Sequence, residues 1–321
     1  MYAIWASGAS AGQPLEALST GEFSPMEHPE GWAKVRVAFT SLNHHDVWSL
    51  RGVGLKSESL PMILGCDATG YDDAGNRVII YPVISSEDWQ GDETLDPKRS
   101  LLSEVYPGTF AEEVFVPRKN IVRLPEVISF EAGACLPTSW LTAFRMLTEC
   151  SGLHSGDTVL VQGASGGVST ALTILGKAMG YRVWVTSRDE EKRAKAFALG
   201  ADEVFESGSR LPSRVDAVME TVGEATWSHS VKALRPGGTI VVSGATSGDA
   251  PGAELTRIFF LQLKVVGATM GSLKTFQSLL DFVAQHRIQP PIHRIYPKEE
   301  AVKGFAEMID GRNFGKILFQ F

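Results

Sequence analysis

DTVLVQGASGGVSTALTILGKAMGYRVWVTSR, running from Asp157 to Arg188, is the stretch from which the fold is read. Thr158–Gln162 is a short apolar, β-rich run that follows the turn Ser155-Gly156-Asp157, which predicts a buried strand. Gly163, Gly166 and Gly167 come next. Behind them Val168, Ala171, Leu172, Leu175, Ala178 and Met179 recur at helical spacing and mark one buried helix face. Gly180 stands where a helix C-cap is wanted, and Arg182–Thr186 opens a second apolar run. Strand, glycine turn, helix and strand within about thirty residues form a βαβ unit with a right-handed crossover.

A glycine turn at that place suits a dinucleotide. Without Cβ atoms the backbone can turn sharply and approach a pyrophosphate, while free N–H groups at the helix start face its charge. The strict G-x-G-x-x-G is absent: the spacing is Gly163-x-x-Gly166, and Ser169 replaces a third glycine. Gly163, Ala164, Ser165, Gly166, Gly167 and Val168 are therefore the candidate pyrophosphate turn. An NAD site usually carries an acid at the end of the second strand, bonded to the ribose 2′-OH. Here Ser187-Arg188 stands there, followed by Lys192 and Arg193, and a guanidinium can take a 2′-phosphate bidentately. The expected cofactor is NADPH.

Composition narrows the rest. The 321 residues suffice for two domains, are 44% apolar and 21% charged, and carry a net charge of −7. That balance argues against nucleic acid or an anionic membrane as main partner. MYAIWASGAS at the N-terminus lacks the basic-then-apolar pattern of a signal peptide, and no apolar run approaches the length of a membrane span. Cys66, Cys135 and Cys150 form no C-x-x-C and no disulfide framework, so a reducing cytoplasm is expected. Residues 1–122 read as short strands (Met1–Ala6, Ala33–Ser41, Asn76–Tyr81, Glu113–Val116) between Gly, Pro and Asp turns, a barrel-like pattern. After Asp157 strands and helices alternate: Glu203–Phe205, Ala217–Glu220, Thr239–Ser243 and Lys264–Gly267 are strands, with helices over 189–199, 224–234 and 273–286. A helix near Glu299–Asp310 and a strand Lys316–Phe321 close the chain and are expected to fold back onto the first domain.

Further stretches carry a resemblance: SLNHHDVWSLRG (41–52), PMILGCDATG (61–70), GTFAEEVFVP (108–117), ACLPTSWLTAF (134–144), VQGASGGV (161–168), RPGGTIVVSGATSG (235–248), VVGATMG (265–271) and GKILF (315–319). In that order, and spread from end to end, they resemble a medium-chain dehydrogenase/reductase of the zinc-independent quinone-oxidoreductase type. The resemblance implies an α/β fold. A Rossmann doubly wound parallel-sheet domain (125–289) would sit beside a GroES-like, mostly-β barrel domain (1–124 and 290–321), with the active site between them.

Zinc-dependent members resemble C-x-x-D, G-H-E and a further Cys or acid in the fourth region; here these read Asn43-x-x-Asp46, Gly65-Cys66-Asp67 and Thr138. Asn and Thr are poor zinc ligands, and residues 82–107, matching the structural-zinc lobe, hold no cysteine, so no metal is expected. His44 and His45, read as neighbours in a strand, would point to opposite faces and could not grip one metal. Cys66 reads as a small buried residue. The resemblance places Asn43, Thr138 and Thr142 near the nicotinamide. It puts Val222, Gly244, Ala245, Thr269, Met270 and Gly271 along the cofactor, and Lys316 within reach of its ribose or phosphates. Tyr106 and Arg257 are candidate substrate-side residues, Tyr106 as a catalytic one. The polar stretch ISSEDWQGDETLDPKRSLLSEVYP (84–107) is either a lid or a remnant of the metal lobe.

The expected activity is hydride transfer from NADPH to a quinone or enone, whose delocalised negative charge needs little Lewis-acid help. The alternatives are a zinc-dependent alcohol/aldehyde dehydrogenase and a non-catalytic NADPH-binding redox sensor. The partner is a small electrophile, and a homodimer is expected through strand Lys264–Thr269.

Overall fold

The computed structural model describes residues 1–24 and 27–321. Its strands in chain order are β1 (Tyr2–Ala6), β2 (Leu18–Glu22), β3 (Ala33–Ser41), β4 (Met62–Ile63), β5 (Asp67–Asp72), β6 (Arg77–Ile80), β7 (Val83–Ile84), β8 (Ser100–Leu101), β9 (Glu113–Val116), β10 (Ile121–Arg123), β11 (Thr158–Gln162), β12 (Arg182–Ser187), β13 (Glu203–Glu206), β14 (Val215–Glu220), β15 (Leu234–Val242), β16 (Lys264–Gly267), β17 (Ile292–Pro297) and β18 (Lys316–Gln320). The α-helices are α1 (His44–Leu50), α2 (Phe130–Ala134), α3 (Leu141–Arg145), α4 (Gly167–Ala178), α5 (Glu190–Ala198), α6 (Glu224–Ala233), α7 (Leu255–Phe260), α8 (Leu273–His286) and α9 (Ala301–Ile309).

Two compact units result: Met1–Ser139 with Gly271–Phe321, and Trp140–Met270. The boundaries expected from sequence, 124/125 and 289/290, fall inside the first unit. The reason lies in packing that no local pattern announces. Phe130 in α2 gives its carbonyl to the Thr69 hydroxyl on β5 at 2.8 Å, and Phe276 in α8 packs its ring against Tyr81 at 5.9 Å.

In the first unit, β10-β6-β5-β3-β18-β17 make one sheet, with β9 also paired to β3, and β2-β1-β4 make a second. Most pairings are antiparallel, as short strands separated by turns permit; β17–β18 is parallel. The tail folds back as expected, Leu318 to Gln320 lying opposite Ser41 to Phe39. Ile4, Leu42, Phe110, Phe305 and Phe319 are fully buried between these layers. Stretch 84–107 is pinned to its own unit. Asp96 accepts from the Ser86 and Lys98 amides, Asp92 from Thr94, and Glu93 from the Leu273 amide at 3.0 Å. Short acidic side chains bonding nearby amides are what let so polar a stretch fold.

In the second unit a parallel sheet runs β13-β12-β11-β14-β15-β16. Counted from β11, that is the 3-2-1-4-5-6 order of a doubly wound dinucleotide-binding sheet, whose strand order reverses between β11 and β14. The strands at its centre are largely apolar, as burial on both faces requires; Leu160, Val218 and Ile240 are wholly buried. No helix among the described residues is long and apolar enough to cross a membrane.

Candidate active site

Along the carboxyl ends of the second unit's strands, the expected cofactor residues come together. Gly163 has φ +85°, which only glycine adopts without strain, and Gly166 N-caps α4. The first N–H groups of α4 lack intrahelical partners, and no side-chain hydrogen bond caps them. A Cβ on Gly163 would meet Val222 and Ser169 at 3.5 Å, so both line the turn. The ends of β14 and β15 are knitted together: Thr246 and Ser247 donate their amides to the carbonyls of Thr221 and Val222, and a Cβ on Gly244 would meet Thr221 O at 3.1 Å. Ala245 packs under Gly223. Thr142 is buried on α3, and Arg145 one turn on reaches the Thr269 carbonyl. These groups fit a pyrophosphate and an extended nucleotide.

At the end of β12, Ser187 accepts from the Asp189 amide, while Arg188 is exposed. An acid does follow the strand, but Asp189 caps α5, accepting from the Lys192 amide at 3.0 Å. That bond is the main cause holding its carboxyl below the ordinary range. Arg193 is spent on the Ser187 carbonyl at 2.7 Å, leaving Arg188 as the guanidinium open to a phosphate.

Beneath this rim lies a network that the sequence did not announce. Glu220, fully buried at the end of β14, accepts from the Val222 and Gly223 amides and the hydroxyls of Thr226 and Ser230. Ser230 in turn accepts from Gln162, whose amide oxygen takes the Thr186 hydroxyl at 2.6 Å. One buried polar residue from each of β11, β12 and β14 thus fixes three strand ends at once. The available signal was an acid, Glu220, closing the apolar run Ala217-Val218-Met219.

In the first unit a second cluster forms around Asp67, which is fully buried. Its Oδ2 accepts from Ser41 Oγ at 2.7 Å and Asn43 Nδ2 at 2.8 Å, and its Oδ1 from Thr138 Oγ1 at 2.5 Å. Thr138 sits in a π-helical turn, Leu136–Trp140, of the kind often found at functional sites. Asp46, on the first turn of α1, accepts from the amides of Asn43 and Gly65. Gly65 has φ +94°, and a Cβ there would overlap the Phe110 ring. Burial pushes the Asp46 carboxyl up to about 6.

Lys316 and the two histidines stand otherwise than expected. Lys316 does not reach out toward a nucleotide: it is 2% exposed, and its ammonium donates to Asn43 Oδ1 at 2.6 Å and Leu42 O at 3.0 Å, with Asp67 Oδ2 at 3.4 Å. Inside the core, an ammonium must spend its protons on protein oxygens. His44 and His45 lie on α1, not in a strand, because the capping acid Asp46 starts a helix there. His44 reaches solvent, yet surrounding protein desolvates it, and with Lys316 and Arg51 nearby its pKa is lowered. Nε2 of His45 is buried without a hydrogen-bond partner among the described residues. Tyr106 packs on Trp32 at 4.7 Å, beside the Val35 core rather than among the Asp67 group. Gly271 belongs to the first unit, where its carbonyl takes the Tyr81 hydroxyl at 2.8 Å. Arg257 pairs with Glu254 on the exposed α7.

Metal ligation does not fit these donors. Among the described residues no three His, Cys, Asp or Glu side chains converge. Cys66 turns its thiol to the Leu102 carbonyl, and burial, reinforced by Asp46 and Asp67, raises its pKa far above the ordinary thiol range. Asn43 and Thr138 are already engaged with Asp67 and Lys316.

Two family models match the chain: an alcohol dehydrogenase GroES-like domain over residues 29–126 and a zinc-binding dehydrogenase over 167–285. An acryloyl-coenzyme A reductase of Sulfurisphaera tokodaii is 28% identical over 99% of both chains, and a quinone oxidoreductase of Mus musculus is 26% identical over 86% of this chain and 85% of its own. Among solved structures, an NAD-dependent alcohol dehydrogenase is 31% identical, with a TM-score of 0.91 over 100% of both chains.

Proposed function

The chain belongs to the medium-chain dehydrogenase/reductase superfamily of oxidoreductases, and on that premise we propose that it is an NADPH-dependent reductase of quinones or activated alkenes working without zinc. One observation carries the reading. The positions matching zinc ligands hold an amide and a hydroxyl already bonded to a carboxylate and an ammonium, a set that a metal would have to dismantle. Acceptors whose developing charge spreads over a conjugated system suit such a site, since hydrogen bonds and a dry surrounding can stabilise them. An acryloyl thioester and a quinone are acceptors of this kind, and two relatives are named for them.

When bound, a nicotinamide supplies the hydride. The chain's part is to hold the pyrophosphate on the Gly163–Val168 turn and a 2′-phosphate against Arg188 and Ser187. Glu220 and Gln162 keep those strand ends in place. A homodimer completes the proposal. Among the described residues β16 is the sheet's edge, with one side unpaired and Val265 47% exposed, and α7 beside it shows Phe259 and Phe260 at 68% and 77% exposure. Such an edge invites a second copy of the strand.

A second reading, a zinc-dependent alcohol dehydrogenase using NAD, is favoured by the 31% identical relative and the zinc-binding family model. The test is NADPH and NADH oxidation with quinones, enones and aldehydes, chelator present. Turnover of quinones or enones with NADPH preferred is expected. Activity confined to aldehydes with NADH and abolished by chelator would favour the second reading.

A further inference from the structure

We infer that the Lys316 ammonium is the resident cation of this chain, standing in for a metal among Asn43, Asp67 and Thr138, and that these side chains are arranged around its charge. The amide of Asn43 is turned with its oxygen on the ammonium, at 2.6 Å, and its nitrogen on Asp67, at 2.8 Å. That orientation puts the acceptor end of the amide on the cation and its donor end on the anion, with the Ser41 carbonyl as a further acceptor at 3.3 Å. The Leu42 carbonyl, at 3.0 Å, gives the ammonium a second oxygen, and Asp67 Oδ2 lies at 3.4 Å. Asp67 then passes the arrangement on to Thr138, which donates to its other oxygen. Two of the three positions matching zinc ligands are therefore tied to one ammonium, directly or through one carboxylate. Asp67 is fully buried and has no other lysine or arginine paired with it among the described residues. Removing that cation would leave the Asp67 charge buried on neutral donors alone.

Lys316 is accordingly a positioning residue. Its functional role rests on the reductase reading above; its role as cation does not. The test uses Lys316→Ala, Lys316→Met and the double variant Asp67→Asn/Lys316→Met, followed by calorimetric unfolding at fixed ionic strength in sodium chloride or methylammonium chloride. Methylammonium is expected to raise the melting temperature of Lys316→Ala by several degrees over sodium and to leave the wild type unmoved. The double variant, lacking both charges, is expected to melt above Lys316→Met. If methylammonium acts equally on the wild type and Lys316→Ala, or if the double variant melts at or below Lys316→Met, the inference is overturned. Should Lys316→Ala fail to fold, the comparison of the double variant with Lys316→Met decides, and a double variant that also fails to fold counts against a charge-based role. In the activity arm, Lys316→Met is expected to lose about a hundredfold in kcat at unchanged NADPH affinity. Methylammonium should return part of that activity to Lys316→Ala. Full kcat in Lys316→Met would overturn the positioning role. A wild type that reduces none of the acceptors would sink the reductase reading while the calorimetric arms still decide the cation.

Discussion

Replacing Glu220 tests how the cofactor rim is held. Its Oε1 accepts from Val222 N at 2.9 Å, Gly223 N at 3.0 Å and Thr226 Oγ1 at 2.8 Å, and its Oε2 from Ser230 Oγ at 2.5 Å. In Glu220→Ala the Thr226 hydroxyl can still use the Gly223 carbonyl, at 3.3 Å, but the two backbone amides are left in a dry site. Each orphaned buried donor costs about 1–3 kcal/mol, which puts the total at about 3–5 kcal/mol after the relief of desolvating a carboxylate. For a unit of this size, that lowers the melting temperature by about 10–15 °C. Glu220→Gln keeps an oxygen for both amides and loses only the Ser230 bond, so about 1–2 kcal/mol is expected. Calorimetry and titration of NADPH by fluorescence would read both variants, with NADPH weakened in Glu220→Ala because Val222 and Gly223 belong to the rim. A melting temperature for Glu220→Ala within about 2 °C of wild type, or a greater loss in Glu220→Gln than in Glu220→Ala, would refute the reasoning.

Arg188→Ala is expected to raise the KM for NADPH by about tenfold to a hundredfold and leave that for NADH unchanged, since one charged phosphate contact is lost; steady-state kinetics with an equal effect on both would remove Arg188 from the 2′-phosphate site. Asp46 has a folded pKa of about 6 against 3.8 for the free group, chiefly from burial. The folded state therefore binds this proton more tightly than the unfolded chain. Its penalty is felt at neutral pH and relieved as pH falls through about 6 toward 3.8. Relative to Asp46→Asn, the wild type should gain on the order of 2–3 kcal/mol between about pH 7 and pH 4, read by denaturant unfolding at each pH, and parallel curves would show that Asp46 does not titrate there. Phe260→Asp, placing a charge on the patch beside β16, should convert a dimer to a monomer by light scattering; a wild type already monomeric at micromolar concentration removes the dimer.

Where a residue's role depends on its neighbours in sequence, the chain could be read directly. The buried run Thr158–Gln162, the glycine at positive φ and the amphipathic α4 behind it announce one another, and strands β3, β9, β11 and β16 stand where their alternation or apolar runs put them. The unit boundaries were less legible, because α2 and α8 carry helical patterns that do not say which sheet they will cover. His44 and His45 were misread as strand residues because the acid that starts their helix, Asp46, does so through a bond back to Asn43.

By itself, then, the sequence determined the doubly wound sheet, the glycine turn, the absence of an acid at the end of β12 itself, and the family, all of which rest on local pattern and order along the chain. Only the tertiary structure decided what Lys316 and Glu220 do. Lys316 meets Asn43 across 273 positions of sequence, and Glu220 gathers donors from a loop, a helix and, through Ser230, two neighbouring strands. A buried charge takes its meaning from whichever oxygen or donor the fold carries to it, and that partner leaves no periodicity to read.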